Sequence, residues 1–245
     1  MSRRSLSRMG FIRARDLRAS AIAAAAAAGD PYFANVVLLL DFAGADDATD
    51  ITDLSNSAHT ETFNLDAKVD TSEQYLGVNS LECATQGYVT YPDHADWDFP
   101  GDFTIELGMK RPGAETSRGV IGNYAATTGW AFQIGDPPVS DVDLNFIAMG
   151  SQIMTREVTI SSGQFYHVAW CRDGSDLRLF VDGVQQGIAV TYATSITSPD
   201  KLLLGLLAQP ATQLFKGWIG AVRITKGVAR YTANFTPPSV FYPTE

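Results

Sequence analysis

Cysteine is nearly absent from this chain: two residues in 245 cannot staple a protein of this size, so the fold has to be held by burial. Cys83 and Cys171 lie in separate strand-like runs and read as two small buried thiols rather than as a bridge. No stretch reaches the roughly 18 to 20 apolar residues of a membrane-spanning helix, which excludes a helical span. Gly-x-Ser-x-Gly, phosphate-loop and His-Glu-x-x-His runs are all missing, and His59, His94 and His167 have no Ser or Cys neighbour at motif spacing. Nucleophilic and zinc-peptidase chemistry therefore have no sequence support.

What is present is the composition of an ordinary globular protein, 45% hydrophobic and 11% aromatic. The net charge of −9 is unevenly spread. Arg3, Arg4, Arg8, Arg13, Arg15 and Arg18 face only Asp16 in the first 18 residues, a net of +5, which leaves 12 basic and 26 acidic side chains, a net of −14, for the rest. An acidic body repels polyphosphate, so nucleic-acid binding by the body is not expected. The arm, residues 1–30, is rich in Ala and Arg and free of Pro before Pro31, and a helix is expected from Arg8 to Ala28, stopping at Gly29-Asp30-Pro31. Three readings compete for it: a signal peptide, a solvated helix lying on its own domain, or an anchoring arm that orders against an acidic or grooved partner. The third is preferred, because four further Arg and an Asp separate Ser2-Arg3-Arg4 from the Ala tract and spoil a contiguous signal.

From Asn35 onward, short β-branched and aromatic runs alternate with Gly, Asp, Asn and Pro turns. Strands are expected at 36–42, 80–84, 88–91, 102–110, 119–124, 129–135, 142–149, 156–160, 164–172, 177–183, 201–208 and 215–225. That spacing describes a β-sandwich or barrel. Period-two alternation points Phe103, Ile105 and Leu107 to the core and leaves Asp102, Thr104 and Glu106 on a wet face. Val36 to Phe42 is apolar on both faces, as in a central strand or one covered by the C-terminal tail. Asp182-Gly183 marks a two-residue hairpin turn, and residues 164–190 should form a three-strand meander.

Gly101-Asp102-Phe103-Thr104-Ile105-Glu106, Phe165-Tyr166-His167-Val168-Ala169 with Arg172-Asp173-Gly174, and Leu177 to Gly183 resemble successive strands of a laminin-G-like, concanavalin A-like jelly roll. Tyr88 to Asp93, Trp97-Asp98-Phe99 and Val36 to Phe42 extend the likeness over about residues 35–245. The segment Phe215 to Tyr231, followed by Thr232 to Pro238, is similar to the version of the domain found in bacteriophage virion proteins. The resemblance implies an all-β, two-sheet antiparallel jelly-roll sandwich over residues 31–245, preceded by the helical arm. It also implies a non-enzymatic virion component (decoration, tail or fibre); joined to the separate reading of the arm, which the likeness does not cover, this gives a protein present in several copies on a symmetric particle and anchored to other virion proteins through the six arm arginines. The alternative is a secreted or receptor-facing carbohydrate-binding module. Many family members carry Asp where Gly220 stands, so a site built on that position is weakened here.

Glycan hydrolases on related sandwiches set carboxylates two residues apart on one strand. No two of the seven Glu have that spacing, and Asp141 and Asp143 lack a third partner, so catalysis is not expected. No cofactor is required; a structural Ca²⁺ is the one ion the resemblance raises. Asp46, Asp47, Asp50 and Asp53 crowd one loop and Asp93, Asp96, Asp98 and Asp102 another, but neither has EF-hand spacing, and turn carboxylates commonly accept backbone N–H bonds instead. For a host surface glycan, Tyr124 and Trp130 are the candidate contacts among the loop and strand-end aromatics. Tyr91, His94 and Trp97 fall in the same class, with core packing the expected role for most of them.

Overall fold

The computed structural model describes residues 29–83, 86–113, 118–135, 141–207 and 213–245, without the side chains of residues 141 and 142. The expected arm helix and its six arginines lie outside the described residues. Among the described residues sixteen strands follow in order: β1 (Val36–Leu40), β2 (Thr62–Asn64), β3 (Lys68–Tyr75), β4 (Val78–Glu82), β5 (Tyr88–Tyr91), β6 (Phe103–Lys110), β7 (Arg118–Gly122) and β8 (Trp130–Gly135). They continue with β9 (Asp141–Ala148), β10 (Ser151–Thr159), β11 (Tyr166–Asp173), β12 (Asp176–Val181), β13 (Val184–Gln185), β14 (Val190–Thr191), β15 (Leu202–Leu204) and β16 (Trp218–Lys226). They form two antiparallel sheets. One has the order β13-β12-β11-β6-β16-β4-β3, with β1 beside β16 and β14 beside β12; the other runs β10-β9-β8-β7-β15-β5-β2. This is the jelly-roll sandwich that the sequence describes.

The inward faces follow the expected alternation. Phe103, Ile105, Leu107 and Met109 of β6 enter the main core between the sheets, where Phe103, Phe146 and Trp130 stack with centroids 5.8 and 6.4 Å apart. Asp182 (φ 46°) and Gly183 (φ 76°) make the expected β12–β13 turn, with both residues in the left-handed region that a tight right-twisting hairpin requires. Strands β2 and β3 are missing from the sequence reading because they carry almost no apolar signal: in Lys68–Tyr75 only Val69 is buried. The registry of β3 comes from partners distant in sequence such as Trp218, whose indole N–H donates to Asp70 at 2.8 Å.

The other face of the nine-stranded sheet departs from expectation. Thr104 and Glu106 are fully buried, not wet, because the chain after Lys226 folds back over that face. Tyr231 and Phe235, stacked at 3.6 Å, cover Ala169, Cys171 and Phe180. Tyr242 covers Val36, Leu39 and Ala221, which explains why β1 is apolar on both faces. Phe235 N–H donates to the Gly183 carbonyl at 2.9 Å, so the tail is tied to the hairpin turn it crosses. Both cysteines are free and buried, and burial pushes the Cys171 thiol up to about 12.

Gly108 and Gly220 stand directly opposite each other on β6 and β16, and the ring of Tyr75 lies across both. A Cβ at Gly108 would sit 2.3 Å from Tyr75 Cδ1, and one at Gly220 would sit 2.8 Å from Tyr75 Cβ. The Gly at 220 is therefore a packing requirement of this chain. Gly108→Ala should lose about 1–3 kcal/mol in urea unfolding. In the Tyr75→Ala background the same change should cost much less; equal costs in both backgrounds would refute the contact as the cause.

Candidate functional site

Three connections meet at one end of the sandwich: residues 92–102, 123–129 and 192–201. Phe99 and Ile196 exchange backbone bonds of 2.8 and 3.0 Å, and Gly129 N–H donates to the Thr197 carbonyl at 2.8 Å. Asp98 Oδ1 accepts Ser198 N–H at 3.0 Å. Beneath them the Arg172 guanidinium, 1% exposed, donates to the carbonyls of Phe99, Gly101 and Thr194 and lies over the Phe103 ring. Its fork ties two of the three loops at once, and burial lowers its pKa from the usual arginine value. The loops are a rigid rim rather than free ends.

The rim encloses an open basin of about 410 Å³ lined by Asp93, Ala95, Asp98, Thr128, Thr197, Ser198 and Pro199. Carboxylates and hydroxyls converge there, and the Ser198 hydroxyl is buried with no hydrogen-bond partner among the described residues. Such a surface suits a polyhydroxylated ligand, and its volume is within the ordinary range for small-molecule sites.

Of the two expected glycan contacts, Trp130 is corrected. It is fully buried, stacks in the main core, and its indole N–H donates to the Trp97 carbonyl at 2.9 Å, so it presents no face to a ligand. The strand-end aromatic is the floor beneath the rim. Tyr124 is half-buried on the 123–129 loop, with its hydroxyl donating to the Ala126 carbonyl at 2.8 Å; it is not among the basin's lining residues. The acidic loops do what turn carboxylates usually do. Asp53 accepts from Leu39, Ser55 and His59 N–H groups, Asp102 from Gly174 N–H, and Asp46 from Thr71 N–H.

The sequence reading missed a second constellation, beneath the C-terminal tail. A register shift between Gly220 and Arg223, with Ala221 at φ 46°, sets Arg223 opposite Glu106. Arg223 Nε donates to Glu106 Oε1 at 2.9 Å, the Tyr231 hydroxyl donates to Oε2 at 2.8 Å, and His167 Nε2 lies 3.0 Å from the same oxygen. Arg223 also reaches Asp30 at 3.1 Å, and Arg230 grips both Asp30 oxygens at 2.9 and 2.7 Å. Asp30 N–H donates to the Glu245 carbonyl at 2.6 Å. Burial pushes the Glu106 carboxyl up, but Arg223, His167 and Arg230 outweigh it and bring it down from 4.5 to about 2. Asp30 is likewise held below the usual aspartate value, its burial outweighed chiefly by the Arg230 bond. One signal could have found this site: Glu106 and Arg223 are the lone charged residues of the strands 103–109 and 219–224.

Residues 84–230, more than half of the chain, match the sequence pattern of Laminin_G_3, described as the concanavalin A-like lectin/glucanases superfamily. No curated protein matches significantly in sequence. Among solved structures, the binding domain of Paraclostridial Mosquitocidal Protein 1 superposes with a TM-score of 0.61 at 14% identity, over 80% of this chain and 49% of that one. Domain 4 of AbnA, a GH43 extracellular arabinanase from Geobacillus stearothermophilus, solved with arabinotriose, gives 0.61 at 14% identity, over 80% of this chain and 94% of that domain. A structure of botulinum neurotoxin type C, whose cell entry depends on interaction with two ganglioside molecules, gives 0.60 at 11% identity, over 80% and 49%. The chain thus spans about half the length of the two toxin structures. At 11–14% identity these likenesses concern the fold alone.

Acid should unlock the buried network first. The folded Glu106 carboxyl titrates below its unfolded value, so its stabilisation is complete above about pH 4.5 and is lost as pH falls towards about 2. The loss should be on the order of 3 kcal/mol, since each tenfold change in proton affinity is worth about 1.4 kcal/mol. Glu106→Gln should cost about 3–5 kcal/mol at neutral pH and flatten that acid limb in unfolding curves taken from pH 6 to pH 2.5. Trp130→Ala should cost about 3–5 kcal/mol in the same assay, as expected of a core residue.

Proposed function

This chain belongs to the Laminin_G_3 family of the concanavalin A-like lectin/glucanases superfamily, and from that premise we propose that it is a non-enzymatic structural component of a bacteriophage virion. Residues 1–28 dock it to other virion proteins, and the sandwich is displayed as a lectin-like domain. The single observation that carries this reading is the clamp on Asp30. The chain is gripped by Arg223, Arg230 and the Glu245 carbonyl at the point where the arm joins the body. Force that reached Asp30 from a docked arm would pass through these ion pairs into the central strand β16. The six arginines of the arm are suited to acidic grooves or carbonyls of a partner, while the acidic body discourages stacking of neighbouring copies. The phage-like character of residues 215–238 agrees with this placement.

A second reading is favoured by the rim basin: the displayed domain, on a virion or secreted, recognises a host glycan. The unpartnered Ser198 hydroxyl and the convergent Asp93, Asp98, Thr128 and Thr197 support it, as do fold relatives solved with arabinotriose or described with gangliosides.

Deletion of residues 1–28 should leave the melting temperature of the body unchanged and abolish its incorporation into particles, scored by mass spectrometry of purified virions. Normal incorporation of the truncated form would refute the docking role. Recovery of only a form cut near Gly29, free in the culture fluid, would favour secretion instead. For the glycan reading, Asp93→Ala and Thr128→Ala should remove glycan-array binding without lowering the melting temperature.

A further inference from the structure

We propose that His59, His94 and Asp96 form a binding site for a divalent transition ion of the zinc class, distinct from the basin and from the buried network. The chain has three histidines, and two of them meet on one carboxylate although they arrive on different connections, β1–β2 and β5–β6. His59 Nε2 lies 2.9 Å and His94 Nδ1 3.2 Å from Asp96 Oδ2, and the three ligand atoms all fall within 4.8 Å of one another. Around a tetrahedral ion with bonds of about 2.0–2.2 Å, neighbouring donors stand roughly 3.3–3.6 Å apart. The two pairs on Asp96 have to open by a few tenths of an ångström, and the two ring nitrogens, which lie within 4.8 Å, to close to that size, a movement that rotation of the exposed His94 ring can supply.

The three side chains already hold one another by hydrogen bonds. His94 Nδ1 accepts the Asp96 backbone N–H at 3.2 Å, capping the single turn Ala95–Trp97, so in that state the nitrogen carries a lone pair. The same nitrogen faces Asp96 Oδ2, another acceptor, at 3.2 Å. With a proton on Nδ1 the same contact is an ion pair, and a divalent cation would take the place of that proton and of the cap.

The supports of the ligands are already in place. His59 is fixed from behind by its N–H bond to the buried Asp53, at 2.9 Å, and by its ring packing on Trp97 at 4.4 Å. Ser57 Oγ donates to Asp96 Oδ2 at 2.7 Å. Such second partners orient ligands and strengthen metal sites. The His94 side chain is 53% exposed against 11% for His59 and 19% for Asp96, so one side of the cluster faces water and leaves coordination positions for solvent or a ligand group. Two imidazoles and one carboxylate suit zinc, cobalt or nickel; calcium takes 6–8 oxygens and would find too few here.

The test uses the full chain, stripped with chelator and dialysed, then titrated with Co²⁺ while visible absorption and heat are recorded. One saturable site with a ligand-field band is expected, displaced by Zn²⁺ and not by Ca²⁺. His94→Ala, which also removes the cap on Ala95–Trp97, should lower the metal-free melting temperature by no more than the loss of one cap and weaken Co²⁺ binding by at least about tenfold. His59→Gln should weaken it likewise. Absence of a saturable site, binding unchanged in His94→Ala, or equal competition by Ca²⁺ would each overturn the proposal.

Discussion

A fully buried carboxylate at Glu106 is the constraint around which the outer face of this sandwich is arranged. An ionised group in a dry site is tolerable only if its charge and lone pairs are met on every side. Arg223, His167 and Tyr231 meet them, and each comes from a different part of the chain. The bulge at Ala221 follows from this, because it brings the arginine into register with the glutamate. Arg223 then has spare donor capacity, which is taken by Asp30, and Asp30 in turn engages Arg230. One charge on a central strand thereby ties the start of the body, the last strand and the tail into one unit.

The tail is what makes that site dry. Without Tyr231, Phe235 and Tyr242 the outer face of β6, β11 and β16 would be an ordinary wet sheet, as alternation alone implies. With them, the nine-stranded sheet is covered on both sides and the molecule has a thin third layer. The Gly108–Gly220 pair serves the same end, leaving room for the Tyr75 ring to lie flat on the sheet.

The loop rim obeys a different logic. Its three connections are joined by backbone bonds and by the guanidinium of Arg172, so hydroxyls and carboxylates converge without a mobile loop. Pre-organisation of this kind suits recognition of a ligand, since little ordering remains to be done on binding. The two ends of the proposed function thus rest on separate devices: a charge clamp that holds the arm's root, and a stitched rim that presents polar groups.

Much of the fold was legible in the residues. The inward positions of β6, the Asp182-Gly183 turn and the meander from Gln164 to Val190 follow from period-two alternation and turn chemistry, which are local properties. Lys68–Tyr75 was illegible because its pairing is set by partners distant in sequence, with one buried Val to mark it. Trp130 was misread because an aromatic beside a loop has the same sequence appearance whether its indole faces solvent or a carbonyl such as that of Trp97. His59 and Asp96, 37 residues apart, carry no shared spacing; only the sandwich brings them to 2.9 Å. The sequence by itself determined the sheet class, the strand faces and the charge split between arm and body, because these depend on neighbours one to four residues away. The tertiary structure alone decided which polar residues would be buried, since burial depends on what folds over a face, and the tail that covers Glu106 lies more than a hundred residues further along the chain.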